Sequence, residues 1–273
     1  MKNILLLTNF SQTSQKAIVS FIKVYLTHIK ETYHFKLLNA YAQPKTGQAQ
    51  LAKFNDVLHR FSLQDLQIEY ENLKQLKGGN NLEIEIISKN GDLVDAVEHI
   101  HAENPIDLIV MGTKGSNLFK ELLLGSETDR LVRLTKNPVL VIPESREFVL
   151  PEKIVFATNL NECRNKEEFT KLIGIVKTFG SELIILNVFK DQLPASIHFE
   201  EPIKKELSGI DYSFEYIQNN DEAEGIDEYI HQNQIGLLAL IDHRISMLSK
   251  LFRNSVTGKF ASRAEVPLLI IHE

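Results

Sequence analysis

Four small residues between an apolar run and an amphipathic segment have the types and spacing to bind an anion. Gly112 and Gly115 are followed, after nine residues, by Gly125 and Ser126. Glycines at 112 and 115 remove side chains where the backbone would approach a ligand closely. Gly125 and Ser126 open a predicted helix, where free backbone N–H groups and the helix dipole favour phosphate. The spacing predicts a phosphate-binding loop after a buried strand.

Alternating strands and helices have to position this loop. Continuous apolar runs indicate strands buried on both faces, and apolar residues at helical spacing separate them. The order β-α-β-α-β predicts a parallel, doubly wound sheet, which binds ligands beyond the carboxyl ends of its strands. The predicted strands of the first half are Ile4–Leu7, Phe35–Ala40, a third around Leu82, Ile84 and Ile86, then Leu108–Met111 and Pro138–Ile142, and the last predicted helix is Glu127–Leu134.

The first half of the chain is similar to the second, in the same order but at a changing offset. The matching segments are 3–10 with 153–160 (offset 150), 37–40 with 185–188 (offset 148) and 137–142 with 266–271 (offset 129). The fall from 148 to 129 indicates 19 additional residues in the first half. We expect them in the helical region around 45–80. The second-half strands are expected near 153–158, 183–188, 212–217, 236–241 and 267–271.

The length and the repeat predict two tandem domains of one α/β fold class. The expected domains are residues 1–145, with the intact glycine motif, and residues 151–273, with a degenerate one. Each is predicted to be a Rossmann-like parallel five-stranded sheet with helices on both faces.

The glycine motif resembles the ATP-binding signature of universal stress proteins, G-x-x-G, nine residues, G-[S/T]. Residues 107–111 (DLIVM) and 137–142 (NPVLVI) are also similar to that family. The resemblance covers the first half well, and the tandem arrangement extends it over the chain. It implies the adenine nucleotide alpha hydrolase-like fold, ATP, ADP or AMP as ligand with or without Mg²⁺, and a regulatory role in the stress response.

The resemblance also implies a role for each matching residue. The residues at the ends of the first strand would border the adenosine and phosphates, and the second strand would contact adenine through its backbone. The fourth strand would line the base and ribose, and the loop and following helix would hold the phosphates. The implied nucleotide-binding residues are Thr8, Asn9, Ala40, Met111, Gly112, Lys114, Gly115, Gly125, Ser126 and Glu127.

Two positions depart from the family pattern. ATP-binding members usually carry aspartate where this chain has Asn9, which keeps hydrogen-bonding capacity but loses the charge that helps to recruit a metal ion. Glu127 suits the helix dipole but would repel a triphosphate if it pointed inward. A member of the fold that has lost its ligand and serves as an interaction scaffold therefore stays open.

The second half lacks the glycines of the motif. At the offset of 129, Gly112, Gly115 and Gly125 correspond to Ile241, Arg244 and Asn254, and only Ser126 is retained, as Ser255. These side chains would occupy the space in which the backbone contacts the ligand. We expect the second half not to bind ATP in the family manner.

Composition and charge exclude several other functions. The net charge of −6 argues against a nucleic-acid binder, and one cysteine argues against an intramolecular disulfide or a cysteine-based zinc cage. No run is long enough to span a membrane, and we expect a cytoplasmic protein. No catalytic or metal-binding motif stands out, so a regulatory binding protein is favoured over an enzyme, a slow ATPase being the least favoured reading.

The last strand of each half is expected to find its partner within the chain. Pairing Val139–Ile142 with Leu268–Ile271 antiparallel would cover two apolar strand edges. The chain would then form an intrachain pseudo-dimer. A further homodimer stays open, and no protein partner can be named from the sequence.

Overall fold

The computed structural model describes seven segments of the chain. They are residues 3–30, 32–41, 48–113, 127–158, 166–190, 203–241 and 266–272. No helix in these segments is long and apolar enough to cross a membrane.

Strands and helices alternate along the first half, and in the described part of the second half helices separate β6 from β7 and β8 from β9. In the first half they are β1 Asn3–Leu7, α1 Gln12–His28, β2 His34–Tyr41, α2 Gln48–Lys74, a 3₁₀ turn Gly79–Asn81, β3 Ile84–Asn90, α3 Leu93–Glu103, β4 Leu108–Thr113, α4 Glu127–Leu134 and β5 Val139–Pro143. In the second half they are β6 Lys153–Ala157, α5 Lys166–Phe179, β7 Glu182–Phe189, β8 Tyr212–Gln218, α6 Glu222–Gln232, β9 Leu237–Ile241 and β10 Leu268–Ile271.

All ten strands form one sheet in the order β3-β2-β1-β4-β5-β10-β9-β6-β7-β8. Every neighbouring pair within a half is parallel. The two halves meet where β5 and β10 pair antiparallel, with Leu140 opposite Leu269. The predicted α/β fold class is therefore confirmed, and the last strands pair within the chain as expected.

Helices cover both faces of the sheet because the strand side chains are apolar on both sides. One core cluster contains residues of α1, α2 and α5, and the other contains residues of α3, α4 and α6. Between the halves, Phe148 is buried with its ring centroid 5.7 Å from that of Phe21 and 5.9 Å from that of Phe179. The connecting segment is therefore anchored in the core by an aromatic side chain.

The length difference between the halves lies between their second and third strands, as expected. Residues 42–83 join β2 to β3, whereas residues 190–211 join β7 to β8, so the first connection is longer by 20 residues. The 27-residue helix α2 lies in the longer connection. Leu66 and Leu73 of α2 are fully buried against the core. The helix therefore adds a packed element beside the carboxyl ends of the first-half strands.

A fragment ending at residue 145 is expected to self-associate. It would expose the edge of β5, where Val139, Leu140 and Val141 are fully buried in the whole chain. An apolar strand edge is a template for pairing with another copy. Analytical sedimentation of the fragment should show a dimer or larger species. A clean monomer would contradict this expectation.

Candidate functional site

The predicted site residues of β1 and β4 lie at the same edge of the sheet. The two strands are parallel neighbours, with Leu6 opposite Val110. Helix α1, which follows β1, packs on one face of the sheet, and helix α3, which follows β3, packs on the other. The carboxyl ends of β1 and β4 therefore flank the point where the strand order reverses, which is where open α/β sheets bind ligands.

Asn9 is the exposed polar residue at the end of β1. Its Oδ1 accepts hydrogen bonds from the backbone N–H of Ser11 at 3.2 Å and from the Ser14 hydroxyl at 3.1 Å. Ser11 in turn caps α1, since its side chain accepts from the Ser14 backbone N–H. This cap and the hydrogen bond from the Ser11 backbone N–H hold the Asn9 amide in one orientation.

Thr8 points the other way, into the protein. It is buried, and its hydroxyl lies 2.8 Å from Glu69 Oε2 of α2 and accepts from the Phe10 backbone N–H at 3.0 Å. Phe10 adopts a positive φ of 61°, so the chain turns sharply between β1 and α1. The hydroxyl of Thr8 is thus engaged internally, and Asn9 is the side chain that a ligand would meet first.

Glu69 is a buried carboxyl group that the sequence analysis did not single out. It is 4% exposed, and its Oε1 has no hydrogen-bond partner among the described residues. Burial raises the pKa of this carboxyl, and the hydrogen bond from Thr8 lowers it by less. A signal was present in the sequence, because Glu69 falls between Leu66 and Leu73 on the buried side of α2.

The raised pKa of Glu69 makes a prediction about stability. A carboxyl whose pKa is higher in the folded state binds its proton more tightly there, so stability is lost as pH rises from the ordinary value of 4.5 through the raised pKa. The free energy of unfolding of Glu69→Gln, minus that of the unmodified protein, should therefore increase when the pH is raised from about 5 to about 8. Denaturant midpoints at both pH values measure this difference, with Glu71→Gln, on the exposed side of α2, as the matched control. An unchanged difference would contradict the prediction.

Asn39 links β1 to β2 and α2 through a chain of hydrogen bonds. Its Nδ2 donates to the Thr8 carbonyl at 2.9 Å, and its Oδ1 accepts from the Ser62 hydroxyl at 2.8 Å. Ser88 of β3 donates to Ser62 at 2.8 Å and lies 3.1 Å from His59 Nδ1. The polar side chains of α2 therefore hold the carboxyl ends of three strands together.

In the described part of the second half, the first link of this chain is retained. Asn187 donates from Nδ2 to the Thr158 carbonyl at 2.9 Å, as Asn39 does to Thr8. Asn187 Oδ1 has no partner in the described part of the chain. The repeated asparagine in segments 37–40 and 185–188 was the sequence signal for this shared link.

The structure gives Gly112 a role in packing. The fourth strand continues to Thr113, two residues beyond the predicted end, so Gly112 belongs to β4 and not to the loop. A Cβ on Gly112 would lie 2.6 Å from the carbonyl oxygen of Thr13 and 3.0 Å from Ala17 Cβ, both in α1. Glycine at this position therefore allows α1 to approach the sheet. Its contact with a base or ribose stays a prediction.

The remaining predicted residues divide into described and undescribed ones. Met111 is buried in the core. Ala40 is half-buried. It was expected to end β2, but the strand extends one residue further, to Tyr41. Glu127 begins α4 as predicted, although its side chain lies outside the described residues. The predictions for the rest of the loop also lie outside them, namely Lys114, Gly115, Gly125 and Ser126.

An ion pair fixes the first turns of the two helices at this edge. Asp92 caps α3 by accepting from the Val94 backbone N–H at 2.9 Å, and its other oxygen pairs with Arg130 of α4. The hydrogen bond from Arg130 is the main cause that lowers the pKa of Asp92. Arg130 lies three residues after Glu127, the first residue of α4, so the pair positions the start of α4 against α3. Arg130 was not predicted, and only its place in the first turn of α4 could have indicated it.

At the corresponding edge of the second half, β9 ends in a residue with a large side chain. Ile241, at the position of Gly112, is buried at 3% exposure. Arg244, Asn254 and Ser255 lie outside the described residues. In the segments that are described, no group of three His, Cys, Asp or Glu side chains could hold a metal ion.

Comparison with known proteins assigns the family. The model of the "Universal stress protein family" matches residues 1–143, more than half of the chain. The chain belongs to the universal stress protein family.

Individual relatives agree with this assignment. "Universal stress protein Slr1230" of Synechocystis sp. is 27% identical over 191 residues, which cover 68% of this chain and 64% of that protein. This chain thus spans slightly less than two thirds of that relative's length. "Universal stress protein MJ0577" of Methanocaldococcus jannaschii is 26% identical over 153 residues, 52% of this chain and 94% of that protein. A universal stress protein from Archaeoglobus fulgidus has a similar fold, with a TM-score of 0.68 at 20% identity over 99% of this chain and 98% of that one.

Proposed function

We propose that the first half of the chain binds one adenine nucleotide, ATP, ADP or AMP, and that occupancy of this site is the signal through which the protein acts in the stress response. The observation that carries the proposal is the placement of Asn9 beside the strand that leads into the glycine motif. Asn9 is exposed at the end of β1, and the adjacent β4 ends at Thr113, one residue before the undescribed part of the loop. Family membership over residues 1–143 supports the same ligand class.

The sequence of the segment between β4 and α4 has the residue types and spacing of a phosphate-binding motif. It runs from residue 114 to residue 126 and contains Gly115, Gly125 and Ser126. The last two precede α4, which begins at Glu127. Free backbone N–H groups at the start of a helix stabilise an anion. Phosphate oxygens are therefore the ligand atoms that this segment would hold.

The second half is proposed to be structural. Ile241 occupies the position of Gly112, and the other glycines of the motif are replaced by Arg244 and Asn254. The antiparallel pairing of β5 with β10 instead gives this half the task of covering the edge of the first.

A ligand-free interaction scaffold is the second candidate. It is favoured by one observation, the close approach of Gly112 to Thr13, because packing alone then explains one of the motif glycines. A scaffold would bind its partner equally with and without nucleotide. No residue in the described part of the site is placed as a general base for an ATPase.

Isothermal titration calorimetry with ATP, ADP and AMP separates the two candidates. The nucleotide proposal predicts micromolar affinity for at least one of them. If none of the three binds, the nucleotide proposal fails and the scaffold is favoured.

A further inference from the structure

The orientation of the Asn9 amide determines what it presents to a ligand. Oxygen and nitrogen of an asparagine amide are assigned from their hydrogen-bond partners. Here the backbone N–H of Ser11, 3.2 Å away, can only donate, so the atom facing it has to be the oxygen. The Ser14 hydroxyl, at 3.1 Å, shares the same oxygen. The outward atom of the amide is therefore Nδ2, which carries two hydrogens and accepts nothing.

The groups behind Asn9 preserve this orientation. Ser14 Oγ lies 3.3 Å from Thr8 Oγ1, and Thr8 is hydrogen-bonded to the buried Glu69. The Ser14 hydroxyl has one hydrogen to donate, and the Ser11 carbonyl at 3.0 Å shares it with Asn9 Oδ1. The Ser11 backbone N–H donates to Asn9 Oδ1 whichever way the hydroxyl hydrogens point, so the amide oxygen is held from inside in either protonation state of Glu69.

This strand end does not fit a divalent cation. Mg²⁺ requires oxygen ligands in a near-octahedral arrangement, usually including one or two carboxylates. The side-chain oxygen of Asn9 already accepts from the Ser11 backbone N–H, and among the described residues the carboxyl group behind it, that of Glu69, is buried and hydrogen-bonded to Thr8. An N–H group aimed outward instead matches an anionic oxygen, with which it forms a charge-assisted hydrogen bond.

We propose that Asn9 donates to an anionic oxygen of the nucleotide, and that the first half binds the nucleotide without a divalent cation. This inference rests on the proposed function and specifies its ligand as the metal-free nucleotide. Asn9 is then a specificity-determining residue, because its replacement by aspartate would present an oxygen where the amide presents a hydrogen.

The test compares ATP binding in excess Mg²⁺ and in EDTA, by calorimetry on the full chain. For the unmodified protein, affinity in EDTA should be at least as high as affinity in excess Mg²⁺, because the cation complexes ATP and lowers the concentration of the metal-free form. For Asn9→Asp, affinity in EDTA should fall at least about tenfold, because a carboxylate then faces phosphate, and Mg²⁺ should restore much of it. Asn159→Asp, at the corresponding position of the second half, is the matched control and should behave as the unmodified protein.

The possible failures are distinct. If no nucleotide binds in either buffer, the proposed function and this inference both fail. If the unmodified protein binds ATP only with Mg²⁺, the inference is overturned and the proposed function stands. If binding depends on Mg²⁺ and Glu127→Gln removes this dependence, the metal is assigned to Glu127 and the inference is also overturned. An Asn9→Asp variant with unchanged affinity in EDTA would show that Asn9 does not face the phosphates.

Discussion

Gly112→Ala is expected to lower the free energy of unfolding by about 3 kcal/mol, the upper part of the range for overpacking a well-packed site. The added Cβ would lie 2.6 Å from the Thr13 carbonyl oxygen, and backbone at this distance cannot yield as a flexible side chain does. Helix α1 would have to move away from β4, and with it the Ser11 and Ser14 groups that orient Asn9. Chemical denaturation monitored by circular dichroism measures the loss.

Gly174→Ala is the matched control for this substitution. Gly174 lies within α5, and a Cβ added there meets no atom within 4 Å. Alanine in a helix interior is favoured over glycine, so this variant should gain about 0.5–1 kcal/mol. If Gly112→Ala were as stable as Gly174→Ala, α1 would not be held against β4 as described.

Gly125→Val is expected to abolish nucleotide binding, with a loss of more than about 100-fold, or about 3 kcal/mol. A branched side chain at the start of α4 would occupy the position proposed for phosphate and obstruct its approach to the backbone N–H groups. Calorimetric titration with ATP measures the change, and the denaturation midpoint shows whether the variant remains folded. Retained affinity in a folded variant would place the site elsewhere.

Asn254→Val provides the control in the second half. Asn254 corresponds to Gly125 at the offset of 129. Because this half is proposed not to bind nucleotide, the substitution should leave ATP affinity unchanged. A reduced affinity would indicate that the second half contributes to binding.

The sequence predicted the fold closely because buried parallel strands leave a strong signal. Continuous apolar runs located the strands to within two residues, except β3, which was predicted around Leu82, Ile84 and Ile86 from alternation and extends to Asn90. The start and end of α4 are those predicted, Glu127 and Leu134. The pairing of β5 with β10 followed from two apolar edges that needed covering. The change of offset placed the additional residues between β2 and β3, where α2 is found.

The interior of the candidate site was less accessible to sequence reasoning. The spacing of Glu69 with Leu66 and Leu73 indicates the buried side of α2, but it does not indicate what Glu69 meets there. Only the structure shows that Glu69 contacts Thr8 and that Ser62 contacts Asn39. Gly112 was attributed to a ligand because no sequence pattern reports that Thr13 lies within 2.6 Å of its missing Cβ. Contacts between residues distant in the chain decide both cases, and a periodic pattern carries no record of them.

The number of nucleotides bound per chain tests the central claim most directly. Equilibrium dialysis with radiolabelled ATP at saturating concentration measures it on the whole 273-residue chain. One ATP per chain is predicted, since the glycine motif is present in the first half and replaced at Ile241, Arg244 and Asn254 in the second. Two ATP molecules per chain would contradict the proposed division between the halves, and none would contradict nucleotide binding altogether.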